Sequence, residues 1–180
     1  MPNITLISFG YFGKDILEKT AEAVVNEFHV SVNLKEGHID LSDFFDPNRR
    51  QYNGNTLLKL VDSISFPDSI KTIGLFNVDL FIPILTFIFG QAFLNGGTGI
   101  ASLYRFSNER YGMTGDNQFL VDRFKKEVIH ELGHTFGLIH CHTPTCVMRS
   151  STYVEDIDQK EQHFCINCRA ELEMHQDHQA

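Results

Sequence analysis

No cysteine occurs before residue 141, and Lys plus Arg number 15 against 23 for Asp plus Glu, a net charge of -8. That acidic balance argues against a nucleic-acid or anionic-membrane partner and fits an ordinary acidic surface. The first 13 residues carry no basic segment and only a short apolar run, so a secretory signal is not expected. No membrane helix is expected either. Residues 73–93 are strongly apolar, but Asn77, Asp79, Pro83, Gly90 and Gln91 interrupt them. The unbroken part is about ten residues, whereas a span needs about 20. Internal repeats and low-complexity tracts are absent, and a length of 180 residues suits one domain that buries its own core. The expected organisation is a single unit, 1–180, with a sheet-and-helix part over about 1–137, a separately stapled C-terminal part over about 138–170 and a loose tail over about 171–180.

What the chain does have is concentrated between residues 128 and 168. All four cysteines lie there, and so do five of the nine histidines. His130 and His134 are four apart, so on a helix both imidazoles project from one face and can grip one ion. The helix is well signalled. Asp116 or Asn117 can cap it, and Leu120, Phe124, Val128, Leu132 and Phe136 recur at helical spacing as a core-facing stripe. Arg123, Glu127, His130 and His134 form the opposite stripe, expected to face water or a cleft. Gly137 can adopt a positive φ, stop the helix and turn the chain so that His140 returns as a third nitrogen ligand. Three protein ligands and one open position is the pattern of a catalytic zinc site. Glu131, beside the first ligand, is placed to take a proton from a metal-bound water of pKa about 7. Met148 follows closely enough to form an apolar floor.

The pattern His130-Glu131-x-x-His134-x-x-Gly137-x-x-His140 with a later Met resembles the metzincin metallopeptidases. Cys141 directly after the third His, then Cys146-x-Met148 and Cys165-x-x-Cys168, resembles the archaemetzincins in particular, as does Arg49-Arg50-Gln51-Tyr52-Asn53 upstream. The resemblance implies zinc on His130, His134 and His140, Glu131 as the catalytic residue and Met148 as the Met-turn residue. It also implies a second, structural zinc on Cys141, Cys146, Cys165 and Cys168. The expected cofactors are therefore two Zn2+ per chain, and the expected substrate is a peptide or small polypeptide cleaved by a monomer. No cysteine-bearing pro-segment is expected ahead of the site.

The cysteines support the second ion independently. Without an export signal, they read as thiolate ligands in a cytoplasmic protein rather than as two disulfides. Cys-x-x-Cys is also a redox motif, but the strand-helix context of a redox fold is missing around Cys165. Two close pairs favour a four-thiolate zinc site, closed to chemistry and mechanical in role. The segment from Cys141 has few large apolar residues, so the ion is expected to substitute for a core there. His142 reads as a surface residue or a hydrogen-bond partner, and His163 as structural or exposed.

In chain order, residues 3–9 read as a buried strand, 14–28 as an amphipathic helix and 30–34 as a second strand. Ile16, Leu17, Ala21, Val24, Val25 and Phe28 form the inner side of that helix. This β-α-β start implies a parallel pair. Residues 40–55 read as a polar loop in which Arg49 or Arg50 is solvated, braces the site or binds a substrate carboxylate. Residues 56–64 suit a short helix, and 70–77, 87–94 and 99–106 suit strands. Asn95-Gly96-Gly97 is a hairpin turn that makes the last two antiparallel. The fold class is thus α/β (α+β): a twisted five-stranded mixed sheet with one antiparallel edge strand, as the metzincin resemblance also implies. The resemblance implies that this edge borders the cleft and can accept an extended peptide. After Cys168 the chain turns polar, a frayed helix and loose end with His175 and His178 solvated. Two function classes follow: a zinc peptidase, or a zinc-stabilised binding module on the same scaffold. An intact Glu131 favours the enzyme, because holding zinc does not require that carboxylate.

Overall fold

The computed structural model describes residues 1–179. The chain runs β1 (Asn3–Phe9), α1 (Lys14–Phe28), β2 (Ser31–Gly37), a helical turn, β3 (Phe45–Asp46), β4 (Gln51–Asn53), α2 (Gly54–Asp62) and β5 (Ser69–Phe76). It continues through β6 (Leu80–Ile82), β7 (Leu85–Ile88), β8 (Gly90–Ala92), β9 (Thr98–Ser102), two helical turns, α3 (Asn117–Thr135), α4 (Val154–Gln159) and α5 (Ile166–Gln179).

The main sheet has the order β2-β1-β5-β9-β8, parallel throughout except for β8 at the edge. Both faces are covered, which is why its inner strands are nearly continuous apolar runs. Period-2 alternation divides them. Ile4, Leu6, Ile73, Leu75 and Ala101 face α1 and α3, while Ile7, Phe9, Phe76 and Ile100 face Leu57, Leu58 and Val61 of α2. Val25 departs from the expected inner set. It is exposed, and Ala23, Thr20 and Glu27 are buried instead.

Two expectations about the middle of the chain need correction. Residues 40–55 are not all loop, and 87–94 is not one strand. A second sheet, β3-β4-β6-β7, draws on both regions. Phe89, packed against Phe106 with centroids 5.1 Å apart, marks the point where the chain leaves the small sheet for the edge of the large one. The small sheet is tied down by side chains. Arg105 makes a two-bond ion pair with Asp79 at 2.6 and 2.7 Å, and Gln51 Nε2 donates to Asp79 Oδ2 and Thr86 O. Arg49, though exposed, donates to Pro83 O and Leu85 O and stacks over Phe81. Arg50 is exposed in the adjoining turn, with φ 56°.

The C-terminal part also differs from expectation. Leu138, Val147, Met148, Val154, Ile157, Phe164 and Leu172 are all buried in the main core, so the segment does carry an apolar anchor. The polar tail is a docked helix. Leu172 is fully buried, Arg169 bonds the buried Glu27 of α1 at 2.6 Å, His163 bonds the same carboxylate, and Gln176 donates to Phe28 O. His178 is exposed as expected, whereas His175 packs against the turn at Gly137. Among the described residues, no helix is long and apolar enough to cross a membrane.

Candidate active site and metal centres

α3 carries the first part of the site. Asp116 caps it, accepting from the N–H groups of Gln118 and Phe119. The apolar stripe from Phe124 to Phe136 is buried against the sheet as expected. The opposite stripe faces the cleft rather than open water, with Glu127, His130 and His134 among the residues lining it. Arg123, Glu127 and His130 are buried because residues 146–160 cross over this side of the helix, a covering that helical periodicity does not reveal. Arg123 grips Asp158 with two bonds and also donates to Phe106 O and Asn108.

At the helix end Gly137 takes φ 100°, a conformation that side-chained residues rarely adopt. The turn brings Leu138 O to His134 Nδ1 at 2.7 Å, while Val147 O meets His130 Nδ1 at 2.8 Å. A carbonyl only accepts, so Nδ1 is the donor in both rings and each Nε2 keeps a bare lone pair. Those two Nε2 atoms are 3.1 Å apart. Neutral lone pairs repel at that separation unless a cation lies between them. Tetrahedral zinc with Zn–N near 2.0 Å places ligand nitrogens about 3.3 Å apart, so the donor set fits the ion. His140 closes the group, with all three rings offering a ligand atom within 4.8 Å of one another. Burial pushes the His130 imidazole well below its ordinary pKa, with Lys160 and His134 adding to the effect, and burial lowers His134 and His140 as well. The rings are therefore held neutral, the form that ligates. Met148 is fully buried against α3, and a methyl group on Gly133 would collide with its Sδ, so that glycine is what lets the side chain approach the helix.

The histidines open onto a cavity of about 600 Å³. Its lining includes the run from Leu85 to Ala92, ending in edge strand β8, together with Ser150 to Tyr153, Glu127, Glu131 and Lys160. Glu131 is buried and its Oε2 has no hydrogen-bond partner. Burial, reinforced by repulsion from Glu127, raises the Glu131 carboxyl well above the usual carboxylate range. Burial also raises Glu127, against the pull of Lys160. Glu127 was legible as part of the site-facing stripe; Lys160 and the carbonyls of Leu138 and Val147 carried no sequence signal.

The four cysteines gather separately. Their Sγ atoms lie within 4.8 Å of one another, all are free thiols, and Cys141 Sγ to Cys165 Sγ is 3.8 Å. Tetrahedral zinc with Zn–S near 2.3 Å requires about 3.8 Å between sulfurs, so this set also fits. Burial opposes ionisation of Cys165, but hydrogen bonds from Cys168 and the neighbouring thiols bring it down to about 6. His140 thus serves the cleft group and Cys141, its chain neighbour, the sulfur group. His142 is exposed and belongs to neither.

Residues 5–174 match the sequence model of Peptidase family M54. The chain belongs to that family. It is similar to the archaemetzincin of Thermococcus kodakarensis, 33% identical over 94% of each chain. Crystal structures agree. Archaemetzincin from Methanopyrus kandleri superposes with a TM-score of 0.84 at 29% identity, covering 97% of this chain and 96% of that one. A zinc-dependent peptidase from Methanocorpusculum labreanum gives 0.83 at 28%, covering 94% and 100%. The M54 chain described here is a zinc metallopeptidase with the expected mixed α/β fold.

Proposed function

We propose that this peptidase holds its catalytic zinc on His130, His134 and His140 and uses Glu131 as general base, with a second, structural zinc on Cys141, Cys146, Cys165 and Cys168. The observation that carries this reading is the pairing of two bare Nε2 atoms 3.1 Å apart with a buried, unpartnered carboxylate oxygen in one cavity. Zinc at the histidines supplies Lewis-acid polarisation of a carbonyl and lowers the pKa of a coordinated water. Glu131 Oε2 takes the proton of the attacking water and then delivers it to the departing amide nitrogen as the C–N bond breaks. The Val147 and Leu138 carbonyls keep two imidazoles in the ligating tautomer throughout. The substrate is a peptide or small polypeptide laid along β8, whose outer edge has no strand partner in the sheet. Four free cysteines suit a reducing compartment, and we read the enzyme as cytoplasmic.

The test is Glu131→Ala against wild type on a mixed peptide library, with zinc measured in both. Hydrolysis should fall by about a hundred- to ten-thousandfold, since the proton carrier is gone. Zinc should stay at two equivalents. Cleavage at the wild-type rate would overturn the assignment of Glu131, and a single equivalent in wild type would remove one of the two sites.

A further inference from the structure

Lys71, near the start of β5, is a buried cation, 5% exposed. Its Nζ donates to Thr135 O and to Gly96 O, both at 2.8 Å, and lies over the Phe136 ring at 4.8 Å. Among the described residues these two carbonyls and the ring are its partners, with no carboxylate in an ion pair. Thr135 is the last residue of α3, so its carbonyl has no helical N–H to accept. That end is also the negative pole of a 19-residue helix, which favours an ammonium there.

Gly96 belongs to the turn that joins β8 to β9. The same turn meets the helix end again, where Asn95 N–H donates to His134 O at 2.8 Å. Asn95 Oδ1 also stands beside Gly137, 3.4 Å from where a Cβ would be. β5 reaches the turn through its backbone as well, with Thr72 N–H donating to Gly97 O at 2.8 Å. Only three residues of β8, Gly90 to Ala92, pair with β9, and all three line the cavity together with His134. A ladder that short leaves the end of β8 to be located by its turn. Lys71 bonds that turn and the helix end with a single side chain.

We propose that Lys71 is a positioning residue: its ammonium ties the turn that ends β8 to the end of α3 that carries His134, and so sets the spacing between the edge that receives peptide and the metal site. This rests on the reading of β8 as the peptide platform. The ligands keep their own geometry through the Leu138 and Val147 carbonyls. What Lys71 governs is where a peptide on β8 presents its scissile carbonyl, and small misplacements of a reacting group are costly in rate.

Lys71→Met keeps the length and the apolar stem and removes both donors. On one extended peptide that wild type cleaves, kcat should fall about tenfold with KM within about twofold, because the peptide still joins the edge but its carbonyl is carried out of line. A merely structural brace would lower the thermal midpoint and leave kcat unchanged below the transition. Lys71→Arg supplies a donor for each carbonyl and should recover kcat to within about threefold of wild type. Zinc content should match wild type throughout. If Lys71→Met does not fold, Lys71→Gln, whose arm is too short to span both carbonyls, takes its place with the same expected loss. Wild-type kcat in the donor-removing variant, a loss confined to KM, an Arg variant as slow as that one, or a fall in zinc would each overturn the proposal. Singly N-methylated versions of the same peptide, assayed with wild type, test the platform separately. At least one should be cleaved about tenfold more slowly than the parent, since strand pairing needs its N–H. Equal cleavage of them all would remove β8 as the platform, whatever the Lys71 variants show.

Discussion

In residues 1–136 the side chains that fix position are mainly apolar and reach across a sheet: Ile4, Leu6, Ile73 and Leu75 against α1 and α3, Ile7 and Phe76 against α2. In residues 137–179 an apolar anchor is present, but directed polar bonds decide the details. Val147 O orients His130, Leu138 O orients His134, Lys160 holds Arg149 O, and Glu27 receives both Arg169 and His163. Four thiols then gather at the margin of the apolar core. Burial is non-directional and spread over many residues, so losing one contact weakens the whole and displaces little. A directed bond to a ligand residue is local, and losing it moves that ligand. Global stability should therefore belong to the first region and metal-site geometry to the second.

The largest effect should come from the sulfur group. Metal-binding energy in such sites is folding energy, about 10 kcal/mol or more in small zinc modules. Cys168→Ser should lose one zinc equivalent and loosen the C-terminal segment. Activity should drop with it, because Cys146 is next to Val147, the residue whose carbonyl holds His130. Zinc analysis with peptide hydrolysis checks this; a variant with two equivalents and wild-type stability would erase the contrast.

Leu75→Ala probes the other region. The side chain is fully buried in the sheet, so truncation should cost about 2–5 kcal/mol and lower the thermal midpoint by several degrees. Zinc affinity at the histidines should be unchanged below the transition. A matching loss of affinity would show that the sheet sets ligand geometry directly.

Much of the first region was legible in the sequence, for the same physical reason that it is robust. Apolar runs and helical spacing give β1, α1, β5 and α3 almost to the residue. The small sheet was not legible, because its strands are two to four residues long and depend on bonds from Arg49, Gln51 and Arg105 across the chain. The ligands could be read from spacing, since helix geometry sets His130 against His134. Their orientation could not, because it depends on carbonyls of Val147 and Leu138 that any residue would supply. α5 looked like a loose end for a related reason: few of its side chains are buried, and Arg169 secures it to a partner in α1.

Arg49→Ala should have the smallest effect. The side chain is exposed, so stability should change by less than about 1 kcal/mol. It clasps Pro83 O and Leu85 O at the rim of the cleft, so KM should rise by about threefold with kcat preserved. An unchanged KM would make the clasp irrelevant to the wall it supports.

The most direct test of the contrast is amide hydrogen exchange before and after complete zinc removal with a chelator, read region by region. The result expected is loss of protection across residues 141–168 while β1, β5 and β9 exchange as slowly as before. Unchanged protection in 141–168 after both equivalents are gone would contradict the account, as would an equal loss in the sheet.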